Sequence, residues 1–246
     1  SPVVSVLLAA KAALVPGYDD PLLVASRCGN TDIMKMLIDA KAPLETTLKE
    51  VNFTSSSPLL AAVTSQNVPA MRVLIEAKAA TDIPGTEYGF ELLSRAIPDG
   101  RQSQNDSVLR LLLDTHPSLA SKQYSSRLLS IAYQRRNIPA LQLLLERNAS
   151  VDGATVDNVS ILHRGVLDHR THLVKLMIDA KAPLEFRTLS AAVQGRQLAV
   201  VKMLVEANAD LRVRHRQGAS LLLAALENKS TSIVNILLNA DPSLVE

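Results

Sequence analysis

Apolar residues return along this chain in a helical rhythm that is repeated many times. In Thr31–Glu45 they fall at Ile33, Met34, Met36, Leu37, Ile38 and Ala40, with Lys35, Asp39 and Lys41 on the other side. That pattern predicts a helix with one broad buried stripe and a charged back. Residues 171–185 repeat it almost letter for letter, and 1–15, 68–82, 106–120, 138–152, 198–212 and 231–245 fit the same frame. A shorter apolar segment precedes all but the first, at 21–25, 58–62, 92–96, 128–132, 161–165, 188–192 and 221–225. Each unit therefore reads as a short helix, a turn, a longer helix and an extended connection. The expected fold class is all-α.

The penultimate Leu or Met of each longer helix gives the spacing. The markers Leu7, Leu37, Leu74, Leu112, Leu144, Met177, Leu204 and Leu237 lie between 27 and 38 residues apart. A helix–turn–helix unit with a period of about 33 resembles the ankyrin-repeat family. Ser160-Ile-Leu-His-Arg-Gly-Val166 stands where that family has T-P-L-H-x-A-A, and Gly218 and Ser220 resemble its G-x-T lead into the first helix. The resemblance covers the whole chain. It implies a solenoid of about seven full repeats after an N-terminal half repeat. On that reading residues 1–246 are a single ankyrin-repeat domain belonging to a longer multi-repeat or multidomain protein. It also implies a protein–protein interaction module binding through its concave face and fingers.

The chain departs from the family in three places. After the longer helix, where a left-handed glycine is usual, it has Lys11, Lys41, Lys78, His116, Asn148, Lys181, Asn208 and Asp241. Such residues either accept a left-handed conformation at a cost or end the helix differently. The turn between Ala96 and Val108 is swollen by Pro98–Asp106, and the connection between Glu185 and Thr188 is almost missing. Either place is expected to interrupt regular stacking. At the ends, neither Val3–Ala10 nor Ile233–Leu238 carries the polar outer face that closes a repeat array, so end-to-end self-stacking is a possible association.

Composition narrows the function. The 246 residues are 47% hydrophobic and only 3% aromatic, with no Trp, so small aliphatic side chains must fill the core. A formal charge of +2 supplies no general attraction for nucleic acid. No uncharged apolar run reaches membrane-spanning length, so membrane insertion is not expected. A single cysteine, Cys28, suits a reducing, intracellular setting, cytoplasmic or nuclear. The charge is uneven: Arg135, Arg136, His169, Arg170, Arg196 and Lys229 recur near the helix–helix turns of the last four repeats. That polarity suits steering of an acidic protein partner.

Candidate chemistry is sparse. His163, His169 and His172, with Asp168, could form a metal or acid–base cluster, yet a zinc site needs three or four converging ligands. The resemblance makes His163 a structural hydrogen-bonding residue. No nucleophile elbow or phosphate loop is present, and neither an enzyme nor a cofactor is expected. The aromatics carry more weight. Tyr18, Phe53, Tyr88, Phe90, Tyr124 and Phe186 read as lying in the connections, and only Tyr133 in a helix. Tyr88 and Tyr124 are expected to be the more exposed. The partner-binding set is then Phe53, Tyr88, Phe90 and Tyr124 with Arg27, Arg135, Arg136, Asp168 and Arg216. The alternatives are a structural spacer or self-associating array, and a metal-binding or enzymatic module at residues 163–172.

Overall fold

In the computed structural model the described residues are 20–45, 57–81, 87–101, 105–117, 122–212 and 220–245. The N-terminal half repeat, Tyr18, Phe53, Lys11 and Arg216 lie outside them. The helices belong to two compact units, residues 1–124 with 135–143 and residues 125–134 with 144–246.

The first unit contains α1 (Pro21–Cys28), α2 (Thr31–Asp39), α3 (Pro58–Thr64), α4 (Val68–Glu76), α5 (Tyr88–Ala96) and α6 (Ser107–Thr115). Two further helices, α7 (Lys122–Gln134) and α8 (Ile138–Glu146), follow in sequence. The short helices pack α1 on α3 on α5, and the longer ones α2 on α4 on α6. Met34, Met71, Leu74, Leu92, Leu109 and Leu112 are fully enclosed there.

The second unit contains α9 (Ile161–Leu167), α10 (Thr171–Asp179), α11 (Phe186–Gln194), α12 (Leu198–Glu206), α13 (Leu221–Glu227) and α14 (Thr231–Ala240). Here α9 packs on α11 and α11 on α13, while α10 packs on α12 and α12 on α14. The stacking therefore runs unbroken across the shortened 185–188 connection, against expectation. Phe186 starts α11 directly, so no connection is needed to reach the next layer. An antiparallel hairpin, β1 (Thr155–Val156) with β2 (Val159–Ser160), adds a small strand element to the all-helical pattern. Asp157 and Asn158 both have positive φ, 53° and 60°, as a tight two-residue hairpin turn requires.

Local chemistry starts four of the short helices and stops most of the described helices. The side chains of Asp20, Ser57, Ser160 and Ser220 accept from Leu22, Leu60, His163 and Leu223 N–H at 2.9, 3.0, 3.3 and 3.1 Å, capping the short helices. Those helices close with paired backbone bonds. In α11, for instance, Arg196 N–H bonds Val193 O and Gln197 N–H bonds Ala192 O. The same pair recurs after α1, α3, α9 and α13 and after α2, α4, α8, α10 and α12, and it is the Schellman closure. Its left-handed residue is Lys41, Lys78, Asn148, Lys181 or Asn208 after the longer helices, with φ between 58° and 66°. After the short helices of the second unit it is His169, Arg196 or Lys229.

Two of the non-glycine caps end otherwise. His116 (φ −135°) and Asp241 (φ −144°) are extended. Each precedes a proline, Pro117 or Pro242, whose ring disfavours helical geometry in the residue before it.

The swollen turn is docked on the hairpin that follows α7. Gly100 N–H donates to Arg135 O at 2.7 Å, and Asn137 Nδ2 donates to Pro98 O at 3.1 Å. A Cβ on Gly100 would sit 2.4 Å from Arg136 O, so only glycine allows this approach. The insertion thus makes ordered bonds to the next hairpin within its unit.

The last helix pair leaves its outer side apolar. Leu223 and Leu226 are 46% and 54% exposed, whereas Leu60, Val63, Val166 and Val193, at matching positions of inner pairs, are exposed by 6% or less.

Candidate functional site

In a stack of helix pairs, the residues free to touch a partner are those that packing leaves exposed. Arg27, Cys28, Thr64, Ser65, Gln134, Leu167, Asp168, Gln194 and Glu227 close the short helices of the two units and form an exposed outward row in each. Beneath them the inward residues are almost uniformly aliphatic: Leu22, Leu59, Leu128, Leu162, Leu189 and Leu222 are all buried. The chemistry of the outer row changes from one helix pair to the next while the inner row stays constant.

The aromatic side chains are not where the sequence reading placed them. Tyr88, Phe90, Tyr124 and Phe186 all lie in helices, because α5, α7 and α11 begin before their aliphatic runs. Tyr124 is only 6% exposed and Tyr88 is half-buried, so neither is an outward anchor. Phe90 and Tyr124 pack on one another with ring centroids 5.7 Å apart and a 43° tilt, a favourable aromatic geometry. Tyr88 hydroxyl is hydrogen-bonded to Ser57, the capping residue of α3. Burial pushes the Tyr88 phenol's pKa well up, with the Glu45 carboxylate adding to the rise and the Ser57 bond opposing it. These rings supply apolar area at the starts of helices.

Arg135 is also committed internally. Its Nη1 donates to Ser94 O and Ile97 O, each at 2.5 Å, which braces the end of α5. Burial, with Arg95 nearby, lowers the guanidinium's pKa. Arg136 beside it is exposed, as is Arg27.

Asp168 is the predicted residue around which the structure gathers most. Tyr133 hydroxyl donates to its Oδ2 at 2.6 Å, and Arg164 Nε lies 3.4 Å from its Oδ1. Arg164 also reaches Asp157 of the β-turn at 3.6 Å. Arg170 stacks over the Tyr133 ring, 4.6 Å from its centroid. Burial raises the Tyr133 pKa, and the Asp168 carboxylate raises it further, so the phenol stays protonated and donating. Sequence reading missed Tyr133, Arg164 and Arg170 as members of this cluster. The one local signal was the i,i+4 pairing of Arg164 with Asp168.

The three histidines do not form one site. His163 is half-buried on α9, with its pKa lowered by burial and by Arg187. His169 is exposed in the turn and His172 is exposed on α10. Among the described residues no group of three His, Cys, Asp or Glu side chains could hold a metal ion. Nor is any described helix long and apolar enough to cross a membrane.

No protein-family model and no curated protein matches this sequence. Among solved structures the chain is similar to the ankyrin repeat domain of Bcl-3, a member of the IkappaB protein family. That match has a TM-score of 0.61 and 23% identity, and covers 88% of this chain and 97% of that one. It is also similar to the ankyrin repeat domain of human ASB11, with a TM-score of 0.54 and 21% identity, covering 90% and 97% of the two chains. Stacked helix hairpins, Schellman closures and these likenesses agree: the chain has the ankyrin-repeat fold.

Proposed function

We propose that this chain is a protein-interaction module that binds a partner protein through the exposed row at the ends of its short helices, with no covalent step. One observation carries the reading. In the second unit Gln134, Leu167, Gln194 and Glu227 are exposed at the last position of successive short helices and differ in charge and polarity, beside an inner row that is aliphatic throughout. In the first unit Arg27 and Thr64 are exposed at the ends of α1 and α3. A stacked scaffold whose exposed row varies suits recognition of a protein surface. The similar structures are themselves ankyrin repeat domains, which supports the reading at the level of fold.

Affinity capture from cell lysate by the immobilised chain, followed by mass spectrometry, tests it. The combined variant Gln134→Arg, Gln194→Arg, Glu227→Arg should lose the captured protein, while Lys202→Glu on α12 should retain it. Identical capture by both variants would overturn the assignment of the binding face.

A further inference from the structure

The hairpin turns of the second unit place a basic or imidazole side chain at one position each. His169, Arg196 and Lys229 occupy the same left-handed position, with φ of 55°, 52° and 53°. That conformation favours glycine or asparagine, because a Cβ crowds the neighbouring carbonyl. Yet each of the three carries a long or bulky side chain ending in N–H donors. All three are exposed, and none is ion-paired among the described residues. Asp168, next to His169, is already held by Tyr133 and Arg164. Glu227, exposed on α13, is the acidic neighbour of Lys229.

Apolar residues share this edge. Leu167 and Leu198 are 49% and 44% exposed. Gln197 Nε2 donates to Val166 O at 2.8 Å, which ties the two turns that carry them.

The spacing of the ridge selects its ligand. Stacked helices lie roughly 8–10 Å apart, so successive donors are separated by about that distance. A polyproline II segment has three residues per turn and rises about 3.1 Å per residue, which returns every third side chain to one face at about 9.3 Å. A β-strand places every third residue on the opposite face and does not fit. We infer that the ridge binds a polyproline II segment of a partner protein, with a carboxylate at every third residue facing His169, Arg196 and Lys229 and proline rings against Leu167 and Leu198. The inference rests on the protein-interaction reading and specifies the partner's chemistry at the turns that directly follow the outward row, with Leu167 common to both.

Fluorescence polarisation of labelled peptides on the full chain at low ionic strength tests it. The probes are a peptide of four Glu-Pro-Pro units, a peptide with the same residues grouped as Glu4Pro8, and four Lys-Pro-Pro units. The spaced acidic peptide should bind at least ten-fold more tightly than either of the others. The double variant Arg196→Gly, Lys229→Gly should weaken it about ten-fold while leaving the melting temperature unchanged or raised, since glycine suits both positions. Lys202→Ala should leave it unchanged. Equal binding of spaced and grouped peptides, or full affinity in the double variant, would overturn the inference. A twelve-nucleotide oligothymidylate binding as tightly as the spaced peptide would assign the ridge to polyanions in general and overturn it too. Lysate capture that survives the double variant but not the outward-row variant would sink this inference alone.

Discussion

The hydroxyl of Tyr133 donates to Oδ2 of Asp168 at 2.6 Å, joining residues 35 positions apart. The bond links one short helix to the turn after the next, and Arg170 closes over the same ring. It is the kind of tie that lets neighbouring layers fix one another's position.

Tyr133→Phe removes that donor and leaves Arg164 beside the carboxylate. Because Asp168 keeps about a third of its side chain in water, the loss should be near the low end for a charged hydrogen bond, about 1 kcal/mol. Chemical denaturation of Tyr133→Phe, Asp168→Asn and the double variant checks it. The two single costs should fail to add, and strict additivity would show that the bond contributes nothing.

Lysine in the left-handed caps should be replaceable to advantage. Lys78→Gly and Lys181→Gly each relieve crowding at φ of 66° and 58° and should stabilise by about 0.5–1 kcal/mol. His116→Gly, at an extended residue, should bring no gain. Thermal melting of the three variants separates the cases.

Position within the stack should govern the cost of trimming a side chain. Val193→Ala opens space in a fully buried layer and should cost on the order of 1–3 kcal/mol. Leu226→Ala, at the matching place on the outer side of the last pair, should cost less than about 0.5 kcal/mol. Similar costs at both positions would mean that Leu226 is covered in solution.

Acid should weaken the second unit through His163. Burial and Arg187 hold its pKa below the ordinary 6.5, so the unfolded chain takes up a proton more readily than the folded one. Stability is then lost as the pH falls through 6.5 toward the lowered folded value, and it is fully present above 6.5. Melting temperatures at pH 7.5 and pH 5 measure the drop. The drop should be smaller in His163→Gln, and an unchanged drop would remove His163 from the account.

The docked insertion should depend on one missing side chain. Gly100→Ala drives a Cβ into Arg136 O, a backbone atom with little freedom to retreat. Hydrogen exchange at Gly100 N–H should accelerate several-fold as the bond to Arg135 O opens. Protection equal to the wild type would show that the hairpin can shift to accommodate it.

Helix pairs were readable because their signals are local: aliphatic periodicity, a Ser or Asp before the short helix, and an apolar residue after each cap. The same frame located the cap lysines, without deciding between a left-handed residue and another ending. Starts of helices were harder, since Tyr88, Lys122 and Phe186 precede the aliphatic runs that served as markers. Placing those starts too late put the aromatics in connections and made buried rings look like surface anchors. At His116 and Asp241 the frame left two endings open, and the following Pro117 and Pro242 decide for the extended one. The Tyr133–Asp168 and Arg135–Ser94 bonds span whole repeats, and no short-range pattern encodes such distant pairs.

Every Schellman closure reaches back no more than five residues. The device that ends a helix therefore measures nothing beyond its own last turn. Connection length goes unread, and successive markers can drift between 27 and 38 residues apart while helix ends stay pinned. Insertions and deletions become a kind of free spelling between fixed punctuation marks, and the connection after Lys181 can shrink to a few residues without rewriting the sentence on either side.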